Sequence, residues 1–239
     1  MQDSSYSRAR SELAIALLGV GAVLTTASDH PLVVERENPQ GKERGFKLKL
    51  HEKNPSAPLS PFLLNFRTPG NPKPGPLTKR IIDLAARCMR YVQFFSGKLT
   101  PDAVAGVPRA GEPFAKALAD LAGMPCIELE KYEYGQTRCI ASLKGFVPAH
   151  VRNILVVDDL VTEADSKRET IQVLGDVGME VTDVMVLVDR EQGGREELAG
   201  WGVRLHSVFT ITELLDLYVE TGRMEPGLRE NIHLYLKAT

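Results

Sequence analysis

The sequence predicts an α/β fold: a doubly wound, mainly parallel sheet with helices on both faces. From Asp102 onward, short apolar runs rich in Val and Ile alternate with segments of helical periodicity. Strands that are apolar along their whole length are typical of parallel sheets covered by helices on both sides. Gly123 and Gly178 follow two of the helical segments, where a residue in left-handed conformation commonly ends a helix.

The predicted elements follow one another in a regular order. The segment from Leu77 to Val92 has apolar residues at helical spacing and should cover the first strand of the sheet. The tail from Ile211 to Tyr235 predicts one or two helices, broken near Gly222 and Pro226. The predicted strands are 103–107, 126–130, 153–159, 183–189 and 204–209, and the helices between them are 112–123 and 166–178.

The part before this core has a different composition. Residues 1–76 are predicted to form a small N-terminal α+β cap, and residues 77–239 the α/β core with its C-terminal helices. Nine of the fifteen prolines lie between residues 25 and 76, where only GFKLKLHE (45–52) and PFLLNFR (61–67) favour short strands. The apolar run from Leu13 to Leu24 is too short to span a bilayer, so we interpret it as an amphipathic first helix.

The composition argues against a nucleic acid partner, a disulfide framework and a structural zinc site. A formal charge of −2 with 25% charged residues gives no basic footprint, so we expect no nucleic acid partner. Three cysteines without close spacing indicate neither a disulfide framework nor a zinc site. We therefore expect a cytoplasmic protein without membrane association.

Two adjacent acids, Asp158 and Asp159, end the predicted strand NILVVDD. In an open α/β sheet, ligands bind beyond the carboxyl ends of the strands, so both acids and the loop from Leu160 to Ser166 lie at a ligand's position. Neighbouring side chains on a strand diverge, so one acid can reach a ligand while the other holds backbone. Carboxylates suit ribose hydroxyls or a hard cation such as magnesium. The alternative is that the two acids only cap the following helix.

Two further strand ends have similar chemistry. The segment AVAGVPRAGEPFAKALA (103–119) predicts a strand, a tight turn and a helix, with Arg109 at the mouth of an anion-binding geometry. The segment VMVLVDREQGGREEL (184–198) ends a strand with Asp189 and Arg190, and a double glycine follows. These loops should converge on the rim that holds the acid pair.

Taken in order, these segments resemble the type I phosphoribosyltransferase family, and within it the orotate phosphoribosyltransferases. The resemblance extends from ELAIALLGVGAVL through GFKLKL, SPFLLNFR, AGVPRAGEPFAKALA and ILVVDDLVT to LVDREQGG. It implies transfer of a phosphoribosyl group from phosphoribosyl pyrophosphate to a pyrimidine base, orotate, with release of pyrophosphate. It also implies a homodimer and a magnesium cofactor bound through the pyrophosphate, with Asp158 and Asp159 as candidate protein ligands.

The resemblance also assigns roles to individual residues. Asp158 and Asp159 would be the catalytic acids that bind the ribose hydroxyls, and Arg190 would face the base. Lys49 matches a lysine of the family's early substrate-contacting strand. The pyrophosphate loop would consist of Val107, Pro108, Arg109, Ala110 and Gly111, and the 5′-phosphate loop of Thr162, Glu163, Ala164, Asp165 and Ser166.

Two segments depart from the family pattern. The phosphate loop is commonly Thr-Thr-Gly-Gly-Ser, and here it reads Thr-Glu-Ala-Asp-Ser. We expect Ala164 to be strained if its position is left-handed, and Glu163 and Asp165 to repel a phosphate. The mobile catalytic loop would correspond to ELEKYEYGQTRCIASLKG (128–145), which lacks the family's cations in register.

These departures leave more than one function open. The first hypothesis is an active phosphoribosyltransferase that acts on orotate. The alternative is a catalytically impaired phosphoribosyltransferase fold that binds a nucleotide or nucleoside as a sensor or regulator. A third hypothesis is an enzyme whose substrate lacks the 5′-phosphate.

Overall fold

A six-stranded, mainly parallel sheet forms the centre of the computed structural model, which describes residues 4–38, 41–48, 50–97, 99–134, 137–145, 147–162 and 164–238. The strands are β5 (Ala103–Gly106), β6 (Cys126–Tyr134), β7 (Thr137–Lys144), β8 (Asn153–Val161), β9 (Glu180–Asp189) and β10 (Arg204–Thr210). They lie in the order β10-β9-β8-β5-β6-β7, and only β7 runs antiparallel to its neighbour. The predicted α/β fold is confirmed.

Helices cover both faces of this sheet. The first face packs against α1 (Ser4–Gly19), α3 (Lys79–Ser96), α4 (Glu112–Ala122), α7 (Ile211–Glu220) and α8 (Pro226–Ala238). The second face packs against α5 (Asp165–Asp176) and α6 (Gly194–Gly200). Along β8, Leu155 and Val157 belong to the first core, and Ile154 and Val156 to the second. This alternation explains why the strand is apolar without interruption.

The predicted helix ends agree with the backbone. Gly123 and Gly178 have φ values of 65° and 80°, a left-handed conformation that glycine adopts without steric cost. The tail forms two helices, α7 and α8, that are interrupted between Glu220 and Pro226 as expected. A capping box at Thr210 and Glu213 starts α7.

The N-terminal part contains two small sheets and a short helix. Strand β1 (Val23–Thr25) pairs with β4 (Phe62–Leu64), and β2 (Val33–Asn38) forms a hairpin with β3 (Gly41–Phe46). The expected strand or hairpin at 45–52 is therefore misplaced, because β3 ends at Phe46 and α2 (Leu50–Lys53) follows. The domain boundary at residue 76 stays a prediction.

The segment expected to form the mobile catalytic loop is a β-hairpin at the edge of the sheet. Strands β6 and β7 pair antiparallel from Glu128 and Lys144 to the turn. Alternating polar and apolar residues such as Ile127, Glu128 and Leu129 suit a strand with one buried face. The side chains of residues 132–142 lie outside the described part of the chain, so the predicted absence of loop cations stays a prediction.

Candidate functional site at the carboxyl edge of the sheet

Strand β8 carries the acid pair at the carboxyl edge of the sheet. Asp159 lies two residues before Val161, the last residue of the strand. Leu160 and Val161 belong to the strand rather than to the loop in which the sequence placed them. They pair in register with Val188 and Asp189 of β9. The amide of Arg190 donates to the carbonyl of Val161 at 3.0 Å, which joins the two strand ends.

Asp158 faces inward and is held by a lysine. Its side chain pairs with the ammonium of Lys167, with Nζ 2.5 Å from Oδ2, and both side chains are about 95% buried. Its Oδ1 accepts a hydrogen bond from the amide of Asp159 at 2.9 Å. Sequence inspection missed Lys167 as a site residue, since its only signal was a position two residues inside a helix that follows the acid pair.

Asp159 is also buried, with 8% of its surface exposed. Burial and the adjacent charge of Asp158 raise the pKa of its carboxyl to about 7, although Lys167 acts in the opposite direction. Its Oδ1 accepts from the amide of Leu160 at 2.8 Å. The two acids thus have different environments, and only Asp158 forms an ion pair with Lys167.

The turn from Val107 to Gly111 lies directly beside Asp158. The amide of Val107 donates to the carbonyl of Val157 at 2.9 Å, and that of Gly111 donates to the carbonyl of Val107 at 2.9 Å. A β-carbon on Gly111 would collide with the carbonyl oxygen of Val157, so only glycine fits there. Pro108 is buried, whereas Arg109 and Ala110 are partly exposed.

Arg109 has a φ of 78°, in the left-handed region that non-glycine residues rarely adopt. Its carbonyl accepts a hydrogen bond from the Asn71 side chain at 3.2 Å. Such a conformation costs on the order of 1–2 kcal/mol and is often found at ligand-binding sites. The expected anion-binding geometry is thus accompanied by local backbone strain.

Within the loop from Thr162 to Ser166, Ala164 differs from the expectation. Ala164 has φ −93° and ψ 12°, so it is not left-handed and the strain expected for that conformation does not arise. Its methyl group is fully buried in the second core. Its amide, at the N-terminus of α5, donates to the Glu197 carboxylate at 2.8 Å. Glu197, which sequence inspection also missed, therefore supplies an internal anion where helix amides commonly bind one.

Arg190 leaves β9 and packs its guanidinium over the ring of Phe62, with Cζ 5.1 Å from the ring centroid. Burial lowers the pKa of this guanidinium. Within the described ranges, its buried Nε has no hydrogen-bond partner and no carboxylate pairs with the side chain. A largely desolvated cation of this kind provides a place for an anionic ligand group.

The structure therefore brings the acid pair, the 107–111 turn, the 162–166 loop and Arg190 to one edge of the sheet. Lys49 and Glu163 lie outside the described residues, as does the side chain of Asp165. Thr162 and Ser166 are partly buried. Asp189 is not available to a ligand, because Arg195 and the amide of Glu191 occupy its two oxygens.

The described residues contain no group of three His, Cys, Asp or Glu side chains placed to hold a metal ion. Magnesium prefers oxygen ligands and commonly keeps several from water or a substrate phosphate. Asp159, which forms no ion pair with Lys167, can supply such an oxygen, so the site fits a magnesium ion that takes its remaining positions from a ligand. In the same part of the chain, no helix is long and apolar enough to cross a membrane.

Comparison with known proteins gives a consistent result. The profile of the family described as "Phosphoribosyl transferase domain" matches residues 75–211. The uridine 5′-monophosphate synthase of Bos taurus is 34% identical over 138 residues, which are 57% of this chain but only 28% of the bovine protein. The orotate phosphoribosyltransferase of Sulfurisphaera tokodaii is 29% identical over 175 residues, covering 68% of this chain and 86% of the archaeal one.

A solved structure supports the same assignment. The crystal structure of orotate phosphoribosyltransferase from Aeropyrum pernix superposes with a TM-score of 0.56 at 26% identity, covering 88% of this chain and 99% of that one. The family match spans more than half of the 239 residues and includes all six strands of the central sheet. Strand β10 extends to Thr210, so it too lies within the matched range. The chain belongs to the phosphoribosyl transferase domain family.

Proposed function

We propose that this protein is an orotate phosphoribosyltransferase, which transfers the phosphoribosyl group of phosphoribosyl pyrophosphate to a ring nitrogen of orotate and releases pyrophosphate. The names of the relatives support this proposal, and nothing in them favours the sensor alternative. One observation from the site supports orotate in particular: Arg190 is a largely desolvated cation without a carboxylate partner among the described residues. Orotate has a carboxylate that can pair with a guanidinium through two hydrogen bonds.

Each part of the site has a proposed task. Asp159 accepts hydrogen bonds from the ribose hydroxyls, with Asp158 beside it at the strand end. The 107–111 turn and Arg109 bind the pyrophosphate, and residues 162–166 bind the 5′-phosphate. Arg190, placed by Phe62, binds the base. We also propose substrate contacts for Lys49, Glu163 and Asp165, whose side chains lie outside the described part of the chain.

Magnesium is the proposed cofactor. The residues that would hold it are Asp159 and, less directly, Asp158, together with pyrophosphate oxygens. The ion supplies positive charge to the leaving pyrophosphate. The side chains of the protein orient the ribose and the base, and both acids are buried. We further propose a cytoplasmic homodimer.

The test is an assay of purified protein with magnesium, phosphoribosyl pyrophosphate and orotate, in which orotidine monophosphate and pyrophosphate are measured. Uracil, which lacks the carboxylate, is the matched control substrate. We expect turnover with orotate, and a loss of about 100-fold or more in kcat/KM with uracil, because Arg190 would then remain unpaired. Arg190→Met should reduce the preference for orotate over uracil to about tenfold or less.

Other outcomes point elsewhere. Equal turnover of orotate and uracil would contradict the role of Arg190. Folded protein that binds nucleotides in calorimetry without turnover would favour the sensor alternative. A nucleoside that binds better than its monophosphate would favour a substrate without a 5′-phosphate.

A further inference from the structure

The buried ammonium of Lys167 is the part of the site that the proposed function does not use. Lys167 lies in the first turn of α5, and its side chain reaches back to the end of β8. Besides its contact with Asp158, its Nζ donates to the carbonyl of Leu160 at 2.6 Å, and only 4% of the residue is exposed. A lysine is buried at this depth only where it is paired and hydrogen-bonded, as it is here.

The ion pair makes the two acids unequal. Both oxygens of Asp158 already have partners, Oδ2 with the ammonium and Oδ1 with the amide of Asp159. Asp159 forms no ion pair with Lys167. Adjacent strand residues point in different directions, so a carboxylate held inward against α5 is not the one presented to the sheet edge.

The ion pair also changes the charge that a ligand meets. Two adjacent carboxylates would present two negative charges to a substrate that is itself a polyanion. The ammonium offsets one of them at contact distance, inside an interior where water screens little. The groups that face the pair from neighbouring elements include backbone from the 107–111 turn, since Gly111 packs against the Cα of Asp158.

We propose that Lys167 is a positioning residue for phosphoribosyl pyrophosphate: it holds Asp158 inward as a charge-compensated carboxylate and leaves Asp159 as the acid presented to the ribose. This inference depends on the proposed function. The two acids then have different tasks: Asp159 contacts the ribose, and Asp158 is held inward by Lys167. The base side of the site, at Arg190, is not affected by this arrangement.

The experiment compares Lys167→Met, Asp158→Asn and the double variant with the wild type. Methionine keeps the length of the lysine stem, and asparagine keeps the shape of the aspartate. We expect K167M to raise KM for phosphoribosyl pyrophosphate about tenfold or more, with KM for orotate within about twofold, because one uncompensated charge faces the polyanion. The double variant should recover most of that affinity, since it removes both charges of the pair.

Lys79→Met is the matched control, because Lys79 forms an exposed ion pair with Asp83 on α3. It should leave both KM values unchanged. Calorimetric binding of phosphoribosyl pyrophosphate with magnesium accompanies the kinetics, and thermal unfolding shows that each variant is folded. If K167M fails to fold, the double variant, which leaves no unpaired charge, decides the question alone.

The outcomes separate the two proposals. A double variant that binds phosphoribosyl pyrophosphate more than about tenfold worse than wild type would mean that Asp158 contacts the ligand itself, and would overturn the role of Lys167. An equal rise in both KM values for K167M would indicate a structural role only. A wild-type protein that neither binds nor turns over this substrate would overturn the proposed function, and the role of Lys167 with it.

Discussion

At the scale of single residues, Arg190 and the acid pair differ in how their charges are compensated. Arg190 meets an aromatic ring and, in the described chain, no carboxylate. Asp158 is neutralised by Lys167, and the amide of Ala164 is satisfied by Glu197. Among the described residues, Arg190 therefore has no anionic partner, whereas Asp158 and the amide of Ala164 are paired within the chain.

The acids were predictable from the sequence and their partners were not. Asp158 and Asp159 lie near the end of a buried strand and Arg190 directly follows one, and strand ends determine where such side chains lie. Lys167 contacts a residue nine positions away in the sequence, and Glu197 contacts one thirty-three positions away. A helix of unknown orientation gives no signal for such contacts, so only the packing of α5 and α6 against the strand ends revealed them.

The raised pKa of Asp159 gives a pH-dependent stability. Because this pKa is about 7 in the folded protein against 3.8 as its ordinary value, the native state binds more protons than the unfolded state between these limits. The stabilisation is complete below pH 4 and is lost as the pH rises through 7. Asp159→Asn should therefore gain stability relative to wild type by about 1–3 kcal/mol between pH 5 and pH 8.

Urea unfolding at the two pH values measures this difference. Asp29→Asn is the control, since the Asp29 carboxylate is fully exposed and should follow the wild type. A difference between D159N and wild type that stays constant from pH 5 to pH 8 would contradict the raised pKa.

At the scale of elements, the strand-turn-helix from β5 to α4 depends on close backbone approach. Gly106 packs against the backbone of Glu112, and Gly111 against Val157 and Asp158 of β8. The sequence correctly predicted this element because proline and glycine mark a tight turn between a strand and a helix. It did not predict that β6 and β7 form a hairpin, because a strand pairing depends on the neighbour to which the segment is joined.

Gly111→Ala should disturb both stability and the site. The added methyl group would overlap backbone atoms that cannot move without shifting β8, so we expect a loss of about 2 kcal/mol or more in unfolding free energy. Gly200→Ala is the control, because an added methyl group meets no atom within 4 Å there and the residue ends a helix. Denaturant titration compares the two, and equal stability of G111A and G200A would refute the close approach.

At the scale of the whole molecule, the first helix is part of the main core. Leu13, Ala14 and Leu17 of α1 are fully buried with residues of α3 and α7. The hydroxyl of Tyr218 donates to the carbonyl of Ala14 at 3.0 Å, which joins α7 to α1. We therefore expect the chain to unfold in one cooperative transition that includes α1.

Leu17→Ala tests this expectation. It should lower the unfolding free energy by about 2–5 kcal/mol, because it leaves a cavity among residues that cannot fully collapse. Leu32→Ala, at a residue 53% exposed, should change it by less than about 0.5 kcal/mol. Calorimetry and circular dichroism should report the same midpoint for L17A, whereas two separate transitions, only one of them shifted, would support an independently folding cap before residue 76.

The sequence by itself determined the layered α/β fold, because apolar periodicity and glycine or proline at turns are local properties that act through backbone sterics and burial. The resemblance of its motifs indicated the family. The tertiary structure alone decided which charges meet. It paired Lys167 with Asp158, placed Glu197 on the Ala164 amide and left Arg190 over Phe62. These contacts join distant segments at distances of a few ångströms, and such distances are settled only when helices and strands pack against one another.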